Sequence, residues 1–167
     1  MKIHAKLIVA AAAVLVVAFV GYQLLPTIAS SSSSKLLASG TFNAKGAPVE
    51  LDATRNGDSV TGTMTVADET GGTLFAVDLE CARTAHDGRI LIAGDTTEAA
   101  AWATQGTYTA IVLKPGSPVR AAFGFGEDAA SATSCAEYLD EIIDQHFATA
   151  IGDGALEPIE GTVQLGP

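Results

Sequence analysis

An Asn-Gly pair between two alternating stretches is the feature that most constrains how this chain folds. Residues 49–55 and 58–66 place apolar or small side chains at every second position, and Asn56-Gly57 lies between them. Asn and Gly tolerate the positive φ angles that a type I′ turn requires at both of its central positions. The pattern therefore predicts a two-strand hairpin with a type I′ turn at Asn56-Gly57.

The same period of two recurs in later parts of the chain, which is typical of an all-β domain. Further strands are predicted near residues 41–44, 73–82, 89–94, 107–113, 119–125 and 159–165. The apolar run Ile90-Leu91-Ile92 predicts a strand that is covered on both faces.

The two ends of this β-rich region resemble each other. Gly40-Thr41-Phe42 opens it and Gly161-Thr162-Val163 closes it. Pairing these segments would join the first strand to the last and remove two exposed sheet edges. We therefore predict an all-β fold with one added helix: a small antiparallel, closed or nearly closed barrel of about eight strands, preceded by an N-terminal hydrophobic helix.

The added helix is predicted at about residues 134–147. Ser134 and Glu137 have the spacing of a capping box. One face carries a mostly apolar row at steps of three and four: Cys135, Leu139, Ile142, Ile143 and His146. The opposite face carries four acids: Glu137, Asp140, Glu141 and Asp144.

A second, shorter helix is expected where the alternation stops. Residues 97–103 are rich in Ala, which favours a helix. Asp95 or Thr96 can cap its start, and Gly106 can end it. We expect Trp102 to anchor this helix.

The N-terminal segment has the composition of an export signal or a membrane anchor. Lys2 and Lys6 precede an apolar run that begins at Leu7. In Thr27-Ile28-Ala29, the small residues Thr27 and Ala29 stand where a signal peptidase reads the chain, which favours cleavage. The length of residues 7–25 favours retention, because it approaches the roughly 20 residues that span a bilayer.

Three regions follow from this. Residues 1–29 are predicted to be a signal peptide or an N-terminal transmembrane anchor, and residues 30–38 a flexible serine-rich tether. Residues 39–167 are predicted to be the exported domain. The protein is therefore expected outside the cytoplasm, either anchored to the membrane by its N-terminal segment or secreted.

The charge balance limits the partners that this domain can have. The chain has 9 basic and 19 acidic residues, a net charge of −10, and no Lys or Arg follows Arg120. Such a surface is expected to repel phosphate backbones and anionic lipid head groups. We therefore expect no nucleic-acid partner.

The two cysteines, Cys81 and Cys135, are predicted to form a disulfide. Both are expected to face inward, one from a strand and the other from the helix. In an exported protein an isolated pair is most simply a bridge. The alternative is two buried free thiols, and the absence of Cys-x-x-Cys spacing argues against a redox role.

The residues that suggest catalysis or metal binding have simpler structural explanations. His86 and His146 are not spaced to share a metal ion with other ligands, so no metal or cofactor is expected. Asp58-Ser59 lies in a hairpin and not in the strand-to-helix turn of a hydrolase nucleophile. Asp95 and Glu98 are explained by capping.

A faint resemblance to a calcium loop begins at Asp52. Thr54, Asn56 and Gly57 continue the pattern, but Thr63 stands where the bidentate Glu of such a loop belongs. The predicted hairpin explains the same residues better.

These observations favour a non-enzymatic, membrane-tethered interaction module of a bacterial envelope, for example an accessory subunit of a membrane complex. A basic partner would dock on the acidic helix face at Glu137, Asp140, Glu141 and Asp144.

Two alternatives remain open. A lipocalin-like barrel would carry a small apolar ligand, with room left by Gly62, Ala121 and Gly161 at inward positions. A hydrolytic enzyme would need a cleft that joins a histidine to two carboxylates.

Overall fold

The computed structural model describes residues 34–126, 132–142 and 156–167. The strands are β1 (Lys35–Ala44), β2 (Ala47–Asn56), β3 (Ser59–Ala67), β4 (Thr73–Thr84), β5 (Ile90–Ala99), β6 (Tyr108–Lys114), β7 (Arg120–Phe125), β8 (Glu157–Pro158) and β9 (Glu160–Leu165), and the helix is α1 (Cys135–Glu141). Within these ranges, no helix is long and apolar enough to cross a bilayer. The predicted leader, residues 1–29, and the N-terminal hydrophobic helix lie outside the described residues.

One antiparallel sheet contains every described strand, in the order β8-β7-β6-β5-β4-β3-β2-β1-β9. β9 returns beside β1, with Thr41 opposite Thr162. β8 lies beside β7, with Arg120 opposite Pro158. Because only Ile159 separates β8 from β9, one extended segment borders both β7 and β1. The predicted nearly closed antiparallel barrel is confirmed.

The strand directions define two ends of the barrel. At the proximal end β1, β3, β5 and β7 begin, whereas β2, β4 and β6 end there. The opposite, distal end carries the β1–β2, β3–β4 and β5–β6 connections. Since β1 begins at Lys35, residues 35–38, which the sequence assigned to the tether, belong to the first strand.

The predicted hairpin forms, but its turn lies one residue later than expected. Asn56 pairs with Ser59, so Gly57 and Asp58 are the central residues. Of these two, only Gly57 has a positive φ, 64°, which is the pattern of a type II′ turn. The two consecutive positive φ angles of a type I′ turn occur instead at Lys45 and Gly46.

Side chains at alternate strand positions fill the interior of the barrel. Phe75 is fully buried and meets Phe123 and Phe125 edge to face, with ring centroids 5.7 and 5.8 Å apart. Thr96 and Thr109 are also buried, and their hydroxyl oxygens are 2.9 Å apart. This hydrogen bond offsets the cost of placing both hydroxyl groups inside.

A second apolar cluster lies outside the barrel, under α1. The run Ile90-Leu91-Ile92 is shared between the two, because Ile90 and Ile92 join the interior and Leu91 joins the outer cluster. Tyr138 and Leu139 of α1 cover that outer surface and are fully buried. A strand buried on both faces is therefore present where the apolar run predicted one.

The predicted short helix at residues 97–103 is wrong. β5 continues to Ala99 and pairs with β4, with Thr96 opposite Val77 and Ala99 opposite Phe75. This tertiary pairing outweighs the helical preference of the Ala-rich segment. Bends follow at positions 100–103, and Trp102 is half exposed instead of serving as an anchor.

The longer helix is present from Cys135 to Glu141. Ser134 caps it, because its side chain accepts a hydrogen bond from the Glu137 amide. The rest of the predicted range, positions 143–147 with Ile143, Asp144 and His146, lies outside the described residues.

The predicted disulfide is confirmed between Cys81 and Cys135, whose Cα atoms are 6.0 Å apart. Its surroundings differ from the prediction. An irregularity in β4 between Leu79 and Cys81 shifts the pairing with β5. Cys81 therefore packs against the outer cluster and not with Phe75 in the interior. A bulge adds a residue to one strand, so the side chains beyond it change face.

Because the bridge joins residues 54 positions apart, its removal should destabilise the domain. We expect the Cys81→Ser/Cys135→Ser variant to lose about 4 kcal/mol of unfolding free energy by the loop-entropy estimate. Equilibrium urea denaturation measures this loss, and the wild-type protein in reductant is the matched control. Identical midpoints for the oxidised and reduced wild type would contradict the expectation.

Candidate functional site

An open groove of about 430 Å³ lies where the β2–β3 turn, the end of β4 and α1 meet. Its lining residues are Arg55, Gly57, Asp58, Cys81, Ala82, Arg83 and Ala136. The Arg83 guanidinium is 3.1 Å from the Asp140 carboxylate. Both side chains are about half exposed, so the pair contributes at most about 1 kcal/mol. The groove thus carries two arginines on its sheet side.

Two of the four acids on the predicted docking face, Glu137 and Asp140, already have partners within the protein. The carboxylate of Glu137 accepts hydrogen bonds from the hydroxyl and amide of Thr133, at 2.6 and 3.0 Å. These bonds, with the Thr133 hydroxyl first, hold the pKa of Glu137 below its usual value. Asp140 pairs with Arg83. Glu141 is partly buried and Asp144 lies outside the described residues, so docking on this face stays a prediction.

The residues that suggested catalysis do not come together. His86 is exposed in the β4–β5 turn, and His146 lies outside the described residues. Beside His86, Asp87 pairs with Arg89 at 2.6 Å, and the hydrogen bond from this guanidinium lowers the pKa of Asp87. Ser59 donates its hydroxyl to the carbonyl of Asn56, which stabilises the hairpin turn.

The carboxylates considered for acid–base or metal chemistry lie on strands. Asp95 and Glu98 belong to β5, so neither caps a helix. Asp52 is exposed on β2 opposite Thr63, in an extended strand and not in an ion-binding loop. Within residues 34–126, 132–142 and 156–167, no three His, Cys, Asp or Glu residues are grouped to hold a metal ion.

The carboxylate of Asp68 organises the β3–β4 loop at the distal end. It accepts hydrogen bonds from the Thr70 hydroxyl, the Thr70 amide and the Gly72 amide, at 2.7 to 2.8 Å. These bonds, of which the one from the Thr70 hydroxyl is the largest cause, lower the pKa of Asp68. The role of Asp68 is therefore to shape the turn.

The two glycines considered as sources of space inside the barrel have a different effect. Gly62 alternates with the buried Val60 and Met64, so it holds an inward position. A Cβ atom there would overlap the carbonyl oxygen of Asp52 on β2, and one at Gly161 would lie 2.8 Å from the Phe42 Cα. Both glycines therefore allow neighbouring backbones to approach closely. The third small residue, Ala121, is buried in the interior cluster.

Trp102 is the unusual residue of the distal end. Among the described residues it is the large hydrophobic side chain that remains exposed, with 51% of its surface accessible. Its φ angle is 70°, in the left-handed region that bulky residues rarely adopt. Residues held in such conformations cluster at binding and switch sites, because the surrounding structure must compensate for the strain.

Hydrogen bonds fix the loop that carries Trp102. The amides of Ala100 and Ala101 both donate to the Leu74 carbonyl, at 2.7 and 3.1 Å. On the other side, the Gln105 side chain donates to the Thr97 carbonyl at 2.8 Å. Ala103 packs against the interior cluster. The loop is thus tied to β4 and β5 on both sides of Trp102.

No protein-family model matches the chain, and no curated protein or solved structure is significantly similar to it. The candidate surfaces are therefore assigned from the geometry alone. They are the Trp102 loop at the distal end, the arginine-bearing groove and the acidic face of α1.

The contribution of Glu137 to stability should depend on pH. Its pKa in the folded protein lies below the ordinary 4.5, so its stabilising effect is complete above that pH and is lost as the pH falls through the folded value. We expect Glu137→Gln to unfold at lower urea concentration than wild type at pH 7. The two midpoints should converge towards pH 2, and a constant difference would contradict this.

The strain at Trp102 can be measured through stability. Glycine adopts a positive φ without steric cost, so Trp102→Gly should stabilise the fold by about 1 kcal/mol. Trp102→Phe keeps the strain and should leave stability nearly unchanged. Thermal or urea unfolding distinguishes the outcomes. A clear loss of stability in Trp102→Gly would mean that the ring supports the fold.

Proposed function

We propose that this protein is a non-enzymatic, exported and membrane-tethered interaction module whose distal end binds a protein partner. The observation that carries the proposal is Trp102, a half-exposed ring held in a left-handed backbone conformation by an ordered loop. The apolar N-terminal segment, the serine run and the disulfide are consistent with a tethered location outside the cytoplasm.

The physical basis of this proposal is the energy that one buried ring can supply. Tryptophan is enriched among the few interface residues that dominate binding free energy. An exposed ring on a fixed loop loses little conformational freedom when a partner covers it, so most of the burial energy appears as affinity. A lone exposed tryptophan is unremarkable in itself, and it is the strained backbone that makes this one a candidate contact.

The acidic face of α1 has weaker support as the docking surface. Glu137 is bound by Thr133 and Asp140 by Arg83, so a basic partner would have to compete with both.

A ligand carrier also has weaker support. The interior contains packed aromatic rings and two threonines whose hydroxyl groups hydrogen-bond to each other. Gly62 and Gly161 allow neighbouring backbone to approach closely and do not leave an empty space.

Site-specific crosslinking in native membranes tests the proposal. A photoreactive residue at Thr104, beside Trp102, should give a discrete adduct with one protein, and the same residue at Glu50 on the barrel wall should not. Adding Trp102→Ala should weaken binding by about 30-fold or more, as expected for a dominant tryptophan contact. Trp102→Phe keeps a ring and should retain most of the adduct.

The intact mass of the full-length protein from the same membranes reports whether the leader is retained. A mass that lacks residues 1–29 would contradict the tether. Equal crosslinking from Thr104 and Glu50, or an adduct unaffected by Trp102→Ala, would contradict the role of the distal end.

A further inference from the structure

The Trp102 loop and the open groove lie at opposite ends of one strand, β4. The amides of Ala100 and Ala101 donate to the carbonyl of Leu74, where β4 begins, and Arg83, near the end of β4, lines the groove. About 30 Å of extended strand separates Leu74 from Arg83. The Trp102 ring therefore does not reach the groove of its own molecule, and a contact between these two surfaces joins two copies of the chain.

The groove has room for an aromatic ring. Four of its lining residues have small side chains or none: Gly57, Cys81, Ala82 and Ala136. The volume of about 430 Å³ exceeds the roughly 150 Å³ of a cavity that binds benzene. The groove is also open at the surface, so a side chain carried on a protruding loop can enter it.

The charged groups of the groove suit an indole ring. A guanidinium group attracts the face of an aromatic ring, and tryptophan is the strongest partner of this kind. Arg83 keeps a planar face for such a contact, because its bond to Asp140 is made through an edge nitrogen of the guanidinium. Within the described part of the chain, neither Arg55 nor Asp58 has an ion pair. Arg55 therefore offers a second guanidinium face, and Asp58 can accept a hydrogen bond from the indole N–H.

We propose that the partner of the Trp102 loop is a second copy of this chain, whose groove receives the ring. This inference rests on the proposed function and names the partner of the distal end. The ring and the groove are electrostatically complementary, since the arginines meet the electron-rich face and Asp58 meets the N–H edge. Such a contact is heterologous, because it uses a different surface on each copy. It leaves one groove and one Trp102 loop free, so further copies can add in a row or close a ring.

The proposed tether permits a row along the membrane. About ten residues separate Leu25 from Lys35, where β1 begins, and they reach about 35 Å at most. A barrel on such a tether can lie with its axis along the membrane, so that the distal end of one copy faces the proximal end of the next. Confinement to the membrane raises the local concentration of copies, which strengthens a contact as small as one ring in one groove.

Crosslinking between two tagged forms of the full-length protein tests this inference in native membranes. One form carries a photoreactive residue at Thr104, beside Trp102, and both forms are expressed together. We expect an adduct that contains both tags, with the crosslink on groove residues of the other copy, such as Ala82 or Ala136. The same photoreactive residue at Glu50, which is exposed on the barrel wall, is the control and should give no adduct with both tags.

Removing the ring and filling the groove should have the same effect. Trp102→Ala in both forms should lower the yield of the two-tag adduct by about 30-fold. Ala136 lines the groove and is exposed on α1, so Ala136→Phe fills the space without entering the core and should cause a similar loss. Ala136→Ser leaves the groove open and is the matched control. Arg55→Gln removes one guanidinium face and should lower the yield by about tenfold.

Combining the two variants tests the direction of the contact. A Trp102→Ala copy keeps its groove, and an Ala136→Phe copy keeps its ring. The photoreactive residue at Thr104 should therefore crosslink when the Ala136→Phe copy carries it, and not when the Trp102→Ala copy does. Equal crosslinking in both directions, or a two-tag adduct that neither variant weakens, would overturn the inference.

The inference and the proposed function fail in different ways. If Thr104 crosslinks only to a protein of different mass, the self-association is overturned and a protein partner at the distal end remains. If Thr104 gives no adduct with any protein, both are contradicted.

Discussion

The structure depends on the segment that closes the barrel. Residues 157–165 pair first with β7 and then with β1, so the two outer strands of the sheet are joined by one continuous stretch of chain. The Ile159 amide strengthens this junction by donating to the Val119 carbonyl at 3.0 Å. Closure covers backbone groups that would otherwise form an exposed edge, and it encloses the apolar side chains that point inward from the longer strands.

Closure also determines which apolar residues remain on the outer surface of the barrel. Once alternate side chains fill the interior, β5 and β6 still have apolar residues on their outer faces, and α1 covers them. The disulfide fixes that helix to β4 through a side chain that a bulge has turned outward. The groove with Arg55 and Arg83 is the space left between this attachment and the β2–β3 turn.

The meander gives the two ends of the barrel different properties. The proximal end receives the chain at Lys35 and carries the groove with its two arginines, whereas the distal end carries the Trp102 loop. The proposed protein contact at the distal end needs no pocket, since the Trp102 ring lies on the surface.

Local sequence patterns determined the class of fold, the closing pair of strands, the hairpin, the capped helix at Ser134 and the disulfide. Each of these follows from side-chain period, backbone preference or cysteine count, which are properties of short stretches. The predictions that were wrong lie where pairing with a neighbouring strand outweighed the local sequence pattern. β4 extended β5 through the Ala-rich segment and exposed Trp102, a bulge turned Cys81 outward, and the hairpin register moved the turn to Gly57-Asp58. The groove was decided in the same way, because only the antiparallel order of the strands brings Arg55 and Arg83 to one end.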